Sequence, residues 1–157
     1  MGYVGHFDNL VRAEDRGRAI RFTRSIVVFT DGLAVCRVAV PGATPALHRS
    51  LIGGLVHRGA EPDAEQLRRS AEAMAASSSA AEFAAAWPGG VVVPFAVVAR
   101  IVLTRPRQVS ELAVYEHVAG QAEPVCTVYL GDLAAGQVRD VLGPLLGERL
   151  QIDAAPD

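Results

Sequence analysis

From Val91 onward the chain carries three β-rich runs and then one amphipathic helix, and this succession restricts the fold more than any other stretch. The runs are VVVPFAVVARIVLTRP, ELAVYEH and PVCTVYL, and the helical stretch is DLAAGQVRDVLGPLLGERL. Val125, Thr127 and Tyr129 alternate with Cys126, Val128 and Leu130, which is the period of a strand. Val138, Val141, Leu142, Leu145 and Leu146 recur instead at the spacing of a helix with one apolar stripe. Asp132 reads as the cap of that helix, Pro144 as a kink or a division after Leu142, and Gly147 as its stop. A sheet followed by one such helix predicts an α+β domain in which the helix buries one sheet face.

A hairpin precedes this unit. RAIRFTRSIVVFT and LAVCRVAV flank Asp31-Gly32, a pair that favours a two-residue turn between strands. Ile26–Phe29 is apolar at every position, so both faces of that strand need cover. Residues 1–17 read as an N-terminal arm, with Phe7, Leu10 and Val11 on one short helical face before the charges of RAEDRGR. Residues 44–87 change to helical character. Thr44-Pro45 is a helix start, and Leu47, Leu51 and Leu55 lie one turn apart, with a stop near Gly59. A second start at Asp63 has Gln66 three residues on, and Ser79 with Glu82 repeats that capping-box spacing. Phe83 and Trp87, one turn apart, are the residues expected to dock this insertion on the core. The organisation predicted is thus a single domain over 1–157: an arm (1–17), a β-hairpin (18–40), a helical insertion (44–87), and strands plus a closing helix (91–150).

Charge narrows the partners. The net charge is −2, and all 15 basic residues are Arg. Such a balance lacks the positive field that sequence-independent nucleic-acid binding needs. It also argues against tight electrostatic binding to an acidic membrane, leaving only peripheral lipid contact. The Lys-free, Ala- and Val-rich usage is a compositional habit of high-GC bacterial genomes. Half the residues are hydrophobic and the mean hydropathy is +0.24. That excess predicts apolar surface buried beyond the chain's own core, in a homo-oligomer or against a protein partner. No run reaches the length of a membrane helix, and the N-terminus has no apolar stretch of signal-peptide type. Cys36 and Cys126 sit in strand-like runs and read as buried free thiols, so a cytoplasmic location is the expectation.

Motifs for chemistry are sparse. His6, His48, His57 and His117 form no H-E-x-x-H frame, and neither cysteine is in C-x-x-C, so no metal site is predicted. No G-x-S-x-G turn and no Gly-rich phosphate loop occurs. Cys126 and His117 span one hairpin and form the sole Cys–His candidate for a cryptic enzyme, but a thiol in an apolar strand is the wrong setting for a nucleophile. No catalytic residue and no cofactor is therefore assigned. Arg105 and Arg107 flank Pro106 in an inter-strand loop, where paired guanidinium groups can grip an anion; surface pairing with Glu111 is the competing reading.

The runs SIVVFTDGLAV, VVVPFAVVARIVL, ELAVYEHVAGQAEPVCTVYL and DLAAGQVRDVLGPLL, in that order, resemble the pleckstrin-homology-like superfold, including its bacterial PH and GRAM groups. That resemblance implies an antiparallel curved sheet or partly open barrel, closed by a C-terminal amphipathic helix, acting as a scaffold for lipid headgroups, peptides or other subunits. The 44–87 insertion is long for a loop of that fold. The dense basic signature of phosphoinositide-binding members is missing, so that activity is not carried over. The expected function is a non-catalytic binding or scaffold domain that engages a protein partner or self-assembles. The alternative is a small-ligand or lipid-binding module with the 44–87 helices as a lid, a pocket lined by Phe83, Trp87 and Phe95, and an Arg at its mouth.

Overall fold

The computed structural model describes residues 2–12, 22–39, 64–74, 79–87, 89–105, 110–117, 123–130 and 135–153. The protein is α+β. Strands β1 (Tyr3–Arg12), β2 (Phe22–Phe29), β3 (Gly32–Ala39) and β4 (Val91–Pro94) are followed by β5 (Val98–Thr104), β6 (Ser110–Glu116), β7 (Cys126–Leu130) and β8 (Leu150–Ile152). Helices α1 (Ala64–Met74) and α2 (Ala80–Ala85) lie between β3 and β4, and α3 (Ala135–Leu146) follows β7. All eight strands join one sheet in the order β4-β3-β2-β1-β7-β6-β5-β8. Every pairing is antiparallel except β5 with β8.

This order has a mechanical consequence. β4 stands at one end of the sheet and β5 next to the other end, so in a flat sheet they would lie roughly 29 Å apart. Only Phe95, Ala96 and Val97 connect them, a span of at most about 14 Å. The sheet must therefore bend back on itself, and its two faces become an inside and an outside. The inner cluster draws Phe7, Ile26, Leu33 and Val93 from one half, Ile101, Leu112 and Val114 from the other, and Val138, Leu142 and Leu146 from α3. The outer cluster places Val27, Phe29, Ala34, Cys36 and Val38 against Leu67 and Ala71 of α1 and Ala80, Phe83 and Ala84 of α2. Ile26–Phe29 thus receives cover on both faces, as its composition requires. Each fully buried large side chain here contributes about 1.5–3 kcal/mol.

Residues 3–12 are not an arm. β1 sits centrally, between β2 and β7. Its alternation is hidden in the sequence by two register shifts, one between Tyr3 and Gly5 and one between Phe7 and Leu10. The first leaves Tyr3 in the outer cluster while Phe7 enters the inner one, as expected of a bulge. Gly5 is small because α3 crosses it: a Cβ there would lie 3.1 Å from Val141 Cγ1.

The β2–β3 turn also differs from the expectation. Phe29 pairs with Gly32, so the two-residue loop is Thr30-Asp31 rather than Asp31-Gly32. Gly32 does not have positive φ. It is needed because a Cβ would fall 2.7 Å from the Val93 carbonyl oxygen of β4. Asp31 then ties three elements: its Oδ1 accepts from Ala80 N of α2 at 3.1 Å, and its carbonyl accepts from Phe95 N at 2.9 Å. The Ser79–Glu82 capping box forms as expected. α3 continues through Pro144 to Leu146, and Gly147 ends it with φ +54. LQI, after that stop, forms β8. The helix expected over 44–59 and the Asp132 cap lie outside the described residues.

Gly32→Ala should lower stability by about 1–3 kcal/mol, because the blocking atom is backbone. Gly136→Ala, at an α3 position where a Cβ meets nothing within 4 Å, should gain about 0.5–1 kcal/mol. Urea midpoints of the two variants test both signs.

Candidate functional site

The residues expected to line a ligand pocket are dispersed. Phe83 is fully buried in the outer cluster, its ring centroid 5.3 Å from Phe29 and 5.8 Å from Trp87. Trp87 packs on the same cluster, and its indole N–H is buried without an acceptor among the described residues. Phe95 belongs to the inner cluster, so the sheet separates it from Phe83 and Trp87. α1 and α2, the described part of the insertion, pack on the outer face. Arg105 is exposed just beyond β5, and Arg107 lies outside the described residues. Cys126 pairs with Val114 across the β6–β7 ladder. His117 is three residues further along β6 and gives its backbone N–H to the Val97 carbonyl at 2.9 Å. The hairpin therefore does not set Cys126 opposite His117.

Two other groupings emerge. The first is a corner where the bent sheet fails to meet itself. A pocket of about 120 Å³ is lined by Arg24, Val35, the three valines of β4, Glu116, Val125 and Cys126. Val91 is 50 % exposed, Val125 37 % and Val97 41 %. Val97 lies in the turn leaving β4, and its bond from His117 joins that turn to the end of β6. Two of the four exposed large hydrophobics among the described residues, Val91 and Val125, thus line one pocket. No periodicity marks them, because each sits at the end of a strand or in a turn.

The second grouping is polar and crosses the outer face of β1 and β2. Tyr3 Oη lies 2.6 Å from His6 Nδ1, His6 Nε2 lies 3.4 Å from Asp8 Oδ2, and Ser25 Oγ donates to Asp8 Oδ1 at 2.5 Å. Burial pushes the Tyr3 phenol up from its ordinary 10.0, and the Glu72 charge on α1 adds to this while Arg68 opposes it. The Tyr3 hydroxyl therefore stays protonated and faces His6 Nδ1, while His6 Nε2 faces Asp8. The carboxylate, not the imidazole, stands beside Ser25, so the order differs from that of a Ser-His-Asp relay. The chain of bonds acts as a polar staple of β1 on β2. It escapes a reading that takes residues 1–17 as an arm, although His6 and Asp8 alternate with Phe7 as strand residues do.

Burial also governs the thiols. Cys36 is fully buried, and loss of solvent pushes its pKa from 9.0 to about 12, against a smaller lowering by Arg24. Cys126 is partly exposed at the corner. Elsewhere on the sheet, the Arg100 guanidinium sits 4.4 Å from the Tyr115 ring centroid. Among the described residues no group of three or more His, Cys, Asp or Glu is placed to hold a metal, and no helix is long and apolar enough to cross a membrane. Compared with known proteins, the chain matches no family model and no curated sequence.

Two outcomes follow from these geometries. Asp8→Ala leaves the buried Ser25 hydroxyl without its acceptor and should cost about 1–3 kcal/mol; adding Ser25→Ala should cost less than the sum of the single changes, as a double-mutant cycle in urea will show. Cys36 has a raised folded-state pKa, so the stability it contributes is complete below pH 9 and is lost as pH rises toward about 12, and Tyr3, raised above its ordinary 10.0, acts in the same direction. The denaturation midpoint should fall above pH 9, and less steeply in Cys36→Ala.

Proposed function

We propose that the chain is a non-catalytic binding or scaffold domain that engages a protein partner, or a second copy of itself, through the apolar corner around β4. The observation that carries this reading is the meeting of the exposed Val91 and Val125 in one pocket beside the edge strand β4. Scattered single valines on a surface need no explanation, but a clustered apolar patch beside a pocket is the usual mark of an interaction surface. The helices cover the remainder of the apolar residues well: Phe83, Leu67 and Leu142 are all fully buried. Apolar exposure is thus concentrated where one strand edge is also open.

A pleckstrin-homology-like build is the architectural part of the same proposal. Seven successive antiparallel strands, bent back and followed by a helix that packs inside the bend, support it. In that reading the sheet is a partly open barrel, α3 closes it, and helices α1 and α2 of the insertion are an outer-face addition. The lid alternative has less support, since α1 and α2 lie on the outer face and the pocket of about 120 Å³ suits one small side chain rather than a lipid.

Val91→Glu combined with Val125→Glu tests the surface. Sedimentation velocity should show association of the native chain with itself, or with a partner retained on an affinity column, and loss of that association in the double variant at an unchanged circular-dichroism spectrum. Association that survives both charges places the contact elsewhere.

A further inference from the structure

The hydrogen-bond pattern of β4 specifies what its open edge can accept. Phe95 N donates to Asp31 O at 2.9 Å, in the same register that pairs Val93 with Leu33 and Val91 with Val35. In an antiparallel ladder these alternate residues point their N–H and C=O groups at the neighbouring strand. Val92 therefore points both of its backbone groups away from β3, to the edge. Pro94 has no N–H, and its carbonyl already accepts from Val97 N at 3.1 Å. Gly90 has given its N–H to the Trp87 carbonyl at 3.0 Å. Among the described residues the edge thus carries one open donor, the Val92 N–H, beside the carbonyl of the same residue.

We infer that β4 pairs antiparallel with β4 of a second copy, about a two-fold axis at Val92; this rests on the apolar corner being an association surface. In that pairing Val92 and its counterpart exchange both bonds. Pro94 falls opposite Gly90 of the copy, so a residue without an N–H faces a residue whose N–H is spent. The partial charges of the edge are complementary to a copy of the same edge, and neither copy strands a donor. An unrelated strand would bring a free N–H group opposite Pro94, whose carbonyl is already bonded to Val97 N, where a buried donor without a partner is costly. The pairing also sets Val91 opposite Val93 of the copy at the non-hydrogen-bonded positions, where side chains approach most closely. The half-exposed Val91 is thereby covered, and the contact extends the valine lining of the corner. An isologous pairing of this kind closes at two copies and builds no fibre.

Backbone hydrogen exchange on the full chain, read by NMR across a dilution series, tests the pairing beside sedimentation velocity. In concentrated solution the Val92 amide should be protected, and dilution into the monomer range should speed its exchange by about tenfold or more, while Val91 and Val93 stay protected by β3. Val92→Pro, which removes a donor that β3 does not use, should give a monomer. An associated chain whose Val92 exchanges freely overturns the pairing while leaving the corner as a contact by side chains. A Val92 amide protected equally at every dilution, a chain that never associates, or a Val92→Pro variant that is dimeric overturns it as well. In the case without association, the Val91 and Val125 charges still decide the corner against a protein partner. Should Val92→Pro fail to fold, the dilution series on the native chain decides the pairing alone.

Discussion

The turn Phe95–Val97 holds the molecule in its bent form, and almost every neighbouring element is bonded to it. Phe95 N is bonded to the β2–β3 turn at Asp31, Val97 N to Pro94, and the Val97 carbonyl to His117 at the end of β6. From below, one Arg149 nitrogen donates to the carbonyls of Phe95 and Val98 at 2.9 and 3.1 Å. A short connection across a bent sheet concentrates backbone polar groups in a part-buried place, and each of them needs a partner. Arg149 supplies two with one charged group, which is a stronger donor than a neutral amide. Its position is set by Gly147, whose positive φ turns the chain out of α3 and starts β8 along β5. The closing helix, the edge strand and the turn are therefore one mechanical unit, although they lie far apart in sequence.

Bending the sheet leaves two ends that must be kept from indiscriminate pairing. They are treated differently. β8 is three residues long and runs parallel beside β5, with Asp153 N continuing the ladder to Leu103. β4 is four residues long, ends in Pro94, and withdraws donors at both of its ends. What distinguishes β4 is the company it keeps. Valines line the adjoining pocket on both the β4 side and the β7 side, while β8 has Gln151 exposed at its centre. One end is thus restricted in hydrogen bonding and apolar in side chains, a combination that excludes most strands without removing the incentive to cover the surface.

Legibility in the sequence followed the size of the local signal. The hairpin of β2 and β3, the α2 capping box and the Val138–Leu142–Leu146 stripe were readable because each rests on a period or a cap within a few residues. β1 was not, because two register shifts in ten residues break the alternation that identifies a strand, and Gly5 offers no side chain to count. The turn residue Asp31 was found but its role was not. A loop shifted by one residue and a glycine chosen for a close backbone approach leave the same Asp-Gly letters as an ordinary turn. The aromatic pair Phe83 and Trp87 was placed correctly as the docking face of the insertion. Its assignment to a pocket with Phe95 required knowing on which side of the sheet each lies, and that is a property of topology. The valine corner left no local trace, since Val91 and Val125 come together only when the sheet bends.

The two faces of the sheet divide the work of the chain accordingly. Inside, α3 fills the bend, so the space where a barrel would hold a large ligand is occupied by Leu142 and its neighbours. Outside, α1 and α2 cover β2 and β3, and the Tyr3–His6–Asp8–Ser25 staple fastens β1 beside them. Both faces consume their apolar residues in packing, and the polar ones there are engaged with each other. On the proposed function, and among the described residues, a surface that discriminates partners lies at an end of the sheet rather than on a face. Of the two ends, only that at β4 offers apolar area, a side-chain-sized recess and an open backbone donor together. A domain without a free face can still recognise another chain through an edge, and it does so with few contacts whose geometry the fold has already set. That economy favours a partner with the same edge, because the constraints that reject other strands are met by symmetry.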